Sequence, residues 1–375
     1  MLKLIVKKNN LLNPLYNTQS IVDKKTTMNI INNVLIYSKN NELFIEATDL
    51  ELSYKNKILC SVIEEGSITV NAKKFYEIVK EFPDEEINIE ELPNLWLKIS
   101  SLDKIEYKIA GLPAEDFPKF KYINTENSIT IETSLLKEMI EKTIFSTSLD
   151  DKKINLSGIY LEQFKQNNKN ILRMVSSDGH RLSLIDKYID DDVDLNIESG
   201  IIIPRKGAQE IKKITENHNT ISLGIDEKFC FVKADNEYLA IRLIDAKFPN
   251  YKSIIPQQNI NTIIIDKDYF FNVLKRVIIL SSDSEFNAVK FSVYNSKMKI
   301  ESIVKEIGEV YEFLDIEYNN EPFEIALNAK FLMTLLMVMK SKKIKLIINT
   351  PESPCIIKGD DDEGFLSLIM PMSIV

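Results

Sequence analysis

The chain has 375 residues, of which 44% are hydrophobic and 27% charged, and this length and balance predict a globular protein of two or three domains. It has no apolar run of about 18 residues and turns polar too early for a secretory signal, so neither a membrane span nor secretion is expected. The three cysteines lie far apart and there are only two histidines, which argues against a structural zinc site and favours a reducing cytoplasm. The net charge of −9, taken as a sum over the chain, argues against nucleic acid as a partner.

The predicted elements, taken in chain order, occur three times. Strand–helix segments of one kind occupy residues 1–22, 128–148 and 261–282. Segments of a second kind, in which apolar residues three and four apart follow a short strand, occupy residues 68–82, 201–215 and 325–340. Asn71 and Asn328 stand directly before two of these helices and are favourable N-cap residues.

Alternating strands follow each segment of the second kind. Two of these stretches end in the same F-P-x-aromatic pattern, at residues 117–120 and 248–251. Three matched segments in one order argue against chance, and a period of about 125 residues is too long for a solenoid repeat. The sequence therefore predicts three copies of one domain, with boundaries at residues 1–125, 126–254 and 255–375.

The stretch SSDGHRLSLID, residues 176–186, brings serine, aspartate and histidine together. The runs on either side alternate in polarity, and Asp178-Gly179 between them is typical of a hairpin turn. The first repeat has a counterpart in TDLEL, residues 48–52. Because a turn uses Asp and Gly for backbone reasons, His180 and Arg181 remain as the candidates for function.

Catalysis by this hairpin is one hypothesis, with His180 serving a hydrolase. The sequence contains no G-x-S-x-G elbow, phosphate-binding glycine motif, calcium loop or H-E-x-x-H. A histidine beside an arginine in a binding surface is therefore favoured, with no catalytic residue, metal or cofactor. A β-rich scaffold without a DNA role is the other alternative. Absence of turnover would exclude the enzyme, and loading on nicked circular DNA would exclude the scaffold.

Positive charge concentrates on the six predicted helices and their flanks. These segments are residues 10–25, 72–82, 134–147, 205–215, 267–280 and 329–345. Together they carry a net charge of +12, so the rest of the chain carries −21. Because helices accept lysine and glutamate equally well, this separation predicts that the helices face a polyanion and the sheets do not.

Five motifs together resemble the family of the bacterial DNA polymerase III beta subunit, the sliding clamp, over the whole chain. They are TDLEL (48–52), GLPAEDFP (111–118), SDGHRL (177–182), FPNYKSIIP (248–256) and MPM (370–372). The resemblance implies an α+β fold of three DNA-clamp domains, each with two β-α-β-β-β halves. It implies a ring with helices inside and sheets outside.

The same resemblance implies a non-catalytic processivity factor of the cytoplasm, without a cofactor. Its implied partners are duplex DNA bound without sequence preference, a second copy of the chain, the DNA polymerase III alpha subunit, the clamp loader, and other replication and repair proteins. Two copies of the chain would form a homodimeric ring. Short apolar–aromatic peptides of the partners would dock in one pocket per chain.

Site residues are assigned to three groups. Those carried over to the peptide pocket are Leu156, Ser177, Gly179, His180, Arg181, Leu182, Pro249, Ile254, Pro354, Leu368, Met370, Pro371 and Met372. The candidates for DNA-facing cations are Lys25, Arg205, Lys212, Lys275, Arg276 and Lys342. The dimer interface, by analogy with the family, would join Tyr107 and Ile109 to Ile279 and Leu280.

The chain departs from the family pattern at three places, which affects the expected peptide preference. Residues 28–31 replace a Leu-Pro-Ile-Leu stretch, and Ser253 replaces an arginine beside the pocket. Ser373-Ile374 replaces the usual Arg-Leu ending, and Val375 is an addition. The uncharged tail from residue 368 onward is expected to pack near the hairpin and near Pro249, where two methionines would suit a groove that accepts several partners.

Ring geometry supports a dimer independently. Helices are about 10 Å wide, so six around a circle leave a hole of about 9 Å and twelve leave about 28 Å. Duplex DNA needs roughly 20 Å, as judged from its groove depths. One chain with six helices cannot enclose it, whereas two chains can, with room for water.

Overall fold

The structure, a computed structural model, describes residues 1–22, 28–101, 105–120, 128–190, 194, 195, 197, 199–226, 228–256, 261–280, 287–304 and 307–373. The chain divides into two compact units. The first unit comprises Met1–Leu136 and Lys206–Leu243, and the second comprises Lys137–Arg205 and the chain from Ile244 onward. The three-domain boundaries expected from the repeat stay a prediction. None of the helices in the described ranges is long and apolar enough to cross a membrane.

The elements follow one order six times over the described chain: a strand, a helix and three strands. The first third comprises β1 (Lys3–Lys7), α1 (Lys8–Ile21), β2 (Asn33–Lys39), β3 (Glu42–Thr48), β4 (Leu52–Leu59), an additional β5 (Ser61–Glu64), β6 (Ser67–Asn71), α2 (Ala72–Glu81), β7 (Glu86–Leu92), β8 (Trp96–Ser101) and β9 (Ile105–Leu112).

The middle third comprises β10 (Ile129–Glu132), α3 (Thr133–Glu141), β11 (Gly158–Gln166), β12 (Lys169–Ser177), β13 (Arg181–Ile189), β14 (Ile201–Pro204), α4 (Arg205–Thr215), β15 (Thr220–Ile225), β16 (Phe229–Ala234) and β17 (Glu237–Arg242). The last third comprises β18 (Asn261–Asp266), α5 (Lys267–Val277), β19 (Ala288–Tyr294), β20 (Lys297–Val304), β21 (Gly308–Asp315), β22 (Phe323–Asn328), α6 (Ala329–Val338), β23 (Lys343–Ile348), β24 (Cys355–Gly359) and β25 (Phe365–Ile369). The predicted β-α-β-β-β halves are confirmed.

The helices begin where the sequence places their caps. The Asn71 side chain accepts a 2.9 Å hydrogen bond from the amide of Lys74, and the Asn328 side chain accepts one of 3.1 Å from Phe331. Each bond satisfies an amide that lacks an intrahelical partner. Along α2, Phe75 and Val79 are fully buried one helical turn apart, so this helix presents an apolar stripe to its sheet.

The first unit contains one sheet of 13 strands in the order β10-β15-β16-β17-β4-β3-β2-β6-β9-β8-β7-β1-β5. Strand β17 pairs antiparallel with β4 and joins the strands of the middle third to those of the first. In this ladder Tyr238 is the partner of Lys55, and Glu237 is the partner of Asn56.

The second unit contains a sheet of eight strands in the order β14-β11-β12-β13-β25-β24-β23-β18 and one of four in the order β21-β20-β19-β22. Here β25 pairs antiparallel with β13, and Leu366 is the partner of Leu184. The two units therefore each contain one strand pair that joins successive thirds of the chain.

Helix α6 is shorter than the charge count assumed. It ends at Val338, and Met339 is already extended, so Lys343 and Lys345 belong to strand β23. Within their observed bounds the six helices carry a net charge of +7, not the +12 obtained with the flanking segments. The positive excess on the helices remains, but it is smaller than the sequence indicated.

Candidate functional site

The hairpin predicted at residues 176–186 is confirmed, and its turn is built around one carboxylate. Asp178 Oδ1 accepts hydrogen bonds from the amides of His180 (2.9 Å) and Arg181 (3.0 Å), and Gly179 has φ = +93°. A positive φ favours glycine, so both turn residues serve the backbone. His180 is exposed.

Arg181 is fixed by contacts on several sides. Its Nε donates to Asp178 Oδ2 at 2.9 Å, and its guanidinium lies over the rings of Phe331, at 4.3 Å, and Phe145, at 5.5 Å. The flat guanidinium stacks on aromatic faces in a way that an ammonium group cannot reproduce. Arg181 is therefore held rigidly beside the hairpin turn.

An apolar cluster lies beside this hairpin. Its buried members are Val175, Leu182, Leu184, Ile202, Phe248, Tyr251, Ile347, Ile356 and Leu368, and Leu156, Tyr160, Ile244, Ile255 and Leu366 pack against them. The structure thus brings the predicted residues Leu156, Leu182 and Leu368 together. The rings of Tyr160 and Phe248 stack at 4.8 Å, which gives the cluster a flat aromatic side.

The tail lies along the hairpin, as its lack of charge predicted. The Met370 amide donates a 2.8 Å hydrogen bond to the His180 carbonyl, and the Met372 amide donates one of 2.8 Å to Ala326. Met370 is 38% exposed, and Pro371 and Met372 are half-buried. The two methionines therefore combine a fixed backbone with accessible, flexible side chains. Residues 374 and 375 lie outside the described residues.

The remaining residues predicted for the pocket lie at or near the surface or in the hairpin. Pro249 and Ile254 are exposed, and Pro354 is half-buried. Ser177 Oγ donates to the Arg181 carbonyl at 2.8 Å, so it closes the turn. Ser253, which replaces the family's arginine, is exposed and donates only to the Asn250 carbonyl, at 2.8 Å.

Sequence reasoning missed the aromatic residues of the cluster, although the F-P-x-aromatic pattern contained two of them, Phe248 and Tyr251. Tyr251 donates from its hydroxyl to Glu162 and accepts from Arg173 at 3.0 Å. Burial, together with the hydrogen bond to Glu162, raises the pKa of Tyr251, so the hydroxyl stays protonated. This network fixes the start of the segment that carries Ile254.

The predicted DNA-facing cations have different surroundings. Lys275 and Lys342 are exposed, whereas Arg276 donates to Glu312 at 2.9 Å. Arg205 is half-buried and donates to Thr147 Oγ1 at 3.1 Å, and burial with nearby Arg181 lowers its pKa. Lys212 is half-buried, and Lys25 lies outside the described residues.

Among the described strands with an unpaired edge are β9 and β21. Along Ile105–Ala110, β9 pairs with β8 only, and β21 pairs with β20 only. Tyr107 on β9 is 37% exposed, and Tyr311 and Phe313 on β21 are more than half exposed. Ile279 is exposed after α5, and Leu280 is half-buried. Exposed apolar edges of this kind are normally covered.

Solved structures share this architecture, and relatives match the sequence, over the full chain. A DNA polymerase sliding clamp from Caulobacter crescentus is 27% identical with a TM-score of 0.92, and 100% of each chain is covered. A sliding clamp from Bartonella birtlesii, solved bound to griselimycin, is 25% identical with a TM-score of 0.94, also over 100% of both chains. The beta sliding clamp of Rickettsia bellii is 29% identical over 100% of both sequences.

The repeated halves, the joined sheets and the hairpin with its apolar cluster define the class of DNA clamps. Family models for the N-terminal, central and C-terminal domains of the DNA polymerase III beta subunit match residues 2–121, 130–250 and 252–373. The chain belongs to the DNA polymerase III beta subunit family, the bacterial sliding clamps, which serve DNA replication as non-catalytic processivity subunits. The hydrolase and scaffold hypotheses are thereby set aside.

Proposed function

We propose that two copies of this chain close head to tail around duplex DNA and hold the replicative polymerase and other partners there through the hairpin pocket, in the cytoplasm. One observation carries the proposal. Strand pairs β4–β17 and β13–β25 join successive thirds within the chain, whereas the equivalent strands β21 and β9 each have an unpaired edge. A second copy supplies the missing partner to both edges, so the contact repeats once and closes.

The exposed cations on and shortly after the helices suit sequence-independent contact with the phosphate backbone. Lys275 and Lys342 lie at the surface, where they can meet phosphates through water. Loose contacts of this kind hold the ring without fixing its position, so it can slide. Direct affinity for open DNA is therefore expected to be weak and steeply dependent on salt.

The hairpin pocket suits an extended apolar peptide. Its floor is a continuous apolar cluster, and its wall combines the fixed Arg181 with the accessible side chains of Met370 and Met372. Leucine or phenylalanine anchors fit such a floor, and flexible methionines adjust to different sequences. We assign the thirteen pocket residues predicted from the sequence to this role.

Retention on DNA tests the encirclement. The chain is loaded on nicked circular DNA by a clamp loader, and half of the sample is then linearised by a restriction enzyme before gel filtration. A ring that encircles the DNA stays on the circular form and slides off the ends of the linear form. Equal retention on both forms would contradict encirclement, because direct binding does not depend on DNA topology.

A further inference from the structure

The two strand pairs that join successive thirds of the chain have the same register. Counted through the ladders from β2, Leu35 pairs with Glu46 and Glu46 with Lys55, whose partner on β17 is Tyr238. Counted from β11, Tyr160 pairs with Val175 and Val175 with Leu184, whose partner on β25 is Leu366. Both counts start at an equivalent position. Leu35 is two residues after Asn33, which pairs with the last residue of β6, and Tyr160 is two residues after Gly158, which pairs with the last residue of β14.

The same count locates the equivalent residue on β21. Ala288 faces Asn328 at the end of β22, so Lys290 is the starting residue. Lys290 pairs with Glu301, and Glu301 pairs with Tyr311. Tyr311 therefore takes the place of Lys55 and Leu184, and Glu312 takes the place of Asn56.

The equivalent residue on β9 follows from the sequence. Residues 106–118 (EYKIAGLPAEDFP) and 237–249 (EYLAIRLIDAKFP) share their spacing and most of their pattern. Tyr107 corresponds to Tyr238, and Glu106 corresponds to Glu237. Pairing β21 with β9 in the common register would set Tyr311 opposite Tyr107 and Glu312 opposite Glu106.

Each joint within the chain also has a polar bridge from a helix, or from the residue directly after it, to the incoming strand or the turn before it. Asn17 Nδ2 donates to Glu237 Oε1 at 3.1 Å, and Lys142 Nζ donates to Asp362 Oδ1 at 2.7 Å. Asn17 and Lys142 occupy the same place, ten residues after the last residue of β1 and of β10. Arg276 occupies that place after β18.

Resting on the ring proposed above, we infer that a second copy seats its β9 on β21 with Tyr107 opposite Tyr311, and that Arg276 bridges Glu312 to Glu106 of the second copy. Two glutamates directly opposite each other would repel. Arg276 removes this conflict, because it already donates to Glu312 through Nε and has further N–H groups to donate. The inference assigns Arg276 to the subunit joint, not to the DNA.

The aromatic rings around this register favour the same partner. Tyr311 and Phe313 form an edge-on pair at 5.8 Å, and Tyr107 lies 6.5 Å from the ring of Phe82. Tyr311 is 59% exposed and Phe313 51%. Docking β9 would cover these rings with those of the second copy, which removes apolar surface from water.

Cysteine crosslinking tests the register in the full chain, in a Cys60→Ser background that removes the half-buried native thiol. Tyr107→Cys with Tyr311→Cys should form a covalent dimer rapidly under mild oxidation, because residues opposite each other in an antiparallel pair lie within disulfide reach. Ile109→Cys with Tyr311→Cys, displaced by two residues, should crosslink slowly. Faster crosslinking of the displaced pair in a protein that still dimerises overturns the register and leaves the ring intact. A monomer, or a disulfide within one chain, contradicts the dimeric ring itself.

The bridge is tested by the dimer dissociation constant from fluorescence dilution. Arg276→Gln should raise it about tenfold, equivalent to about 1.4 kcal/mol. Adding Glu106→Gln should restore most of the loss, since it removes the like-charge conflict. The control is Lys290→Gln, a cation of the same sheet that pairs with Glu324 on the opposite edge strand, at 2.9 Å, and it should leave the constant unchanged. An Arg276→Gln dimer as tight as the control overturns the bridge.

Discussion

The Met370 amide donates a 2.8 Å hydrogen bond to the His180 carbonyl, which continues the β13–β25 ladder beyond its last paired residues. The bond holds the tail against the turn that carries Arg181. The wall of the proposed pocket therefore needs two segments nearly two hundred residues apart in the sequence. Loss of the tail should remove the site without disturbing the edges used for dimerisation.

Removal of residues 370–375, or Met372→Ala, is expected to weaken peptide binding strongly. Loss of an anchor contact typically costs about 2 kcal/mol, roughly a thirtyfold rise in Kd. Fluorescence polarisation with a labelled peptide from the polymerase alpha subunit measures this. Tyr188→Ala is the control, since Tyr188 is 58% exposed at the far end of β13. Unchanged affinity after the deletion would place the pocket elsewhere.

Arg181→Lys is expected to weaken peptide binding more than His180→Ala does. A lysine keeps the charge but loses the stacking on Phe331 and the hydrogen bond from Nε to Asp178 Oδ2. His180 is exposed, so its removal should cost only its own contact with the peptide. Isothermal titration measures the peptide affinity of both variants. A larger loss for His180→Ala would show that the imidazole, not the guanidinium, makes the more important contact.

Asp362→Ala is expected to lower the free energy of unfolding by about 3 kcal/mol. The Lys142 side chain is 2% exposed, and Asp362 is its closer partner, at 2.7 Å. Removing the carboxylate leaves a buried ammonium with Glu138 as its remaining ion-pair partner, at 3.0 Å. Denaturant unfolding measures the change. Lys345→Ala, which breaks an exposed pair with Asp360, should shift it by less than about 0.5 kcal/mol.

Glu138 predicts a pH dependence of stability. Burial raises its pKa, but hydrogen bonds from Lys187, Lys340 and Lys142 outweigh this and lower the pKa to about 2. Its contribution is thus present above the usual value of 4.5 and is lost as pH falls towards 2. Melting temperatures of the wild type should fall across this window more steeply than those of Glu138→Gln. Parallel pH profiles would contradict the assignment.

Lys275→Ala and Lys342→Ala are each expected to reduce the salt dependence of DNA binding. Each lost phosphate contact should lower the slope of log affinity against log salt by about one, without changing sequence preference. Filter binding on two unrelated duplexes measures both quantities. A loss confined to one duplex would indicate base readout and contradict the sliding account.

The repeat, the caps and the hairpin could be predicted because each is a local pattern. Asn71 and Asn328 predict where helices begin, and Asp178-Gly179 predicts the turn, because these residue types favour those positions. The end of α6 could not be placed, because the lysines that follow it suit a helix and an exposed strand equally well. The extended backbone of Met339 shows that the helix ends before these lysines.

The apolar cluster beside the hairpin was only partly predictable for a different reason. Ile347 and Ile356 come from β23 and β24, and nothing in their local sequence links them to the hairpin near Leu182. Their meeting depends on the pairing of β25 with β13, a contact between distant parts of the chain. The buried pair of Lys142 and Asp362 could not be predicted for the same reason, because the two residues are distant in the sequence.

The mass of the protein in solution tests the central claim most directly. The chain is 43.2 kDa, and two copies joined at both open edges should give about twice that by light scattering at micromolar concentration. The same mass should persist after removal of residues 370–375, because the tail takes no part in the joint. A mass of one chain under these conditions would contradict the ring, since six helices leave a hole of only about 9 Å.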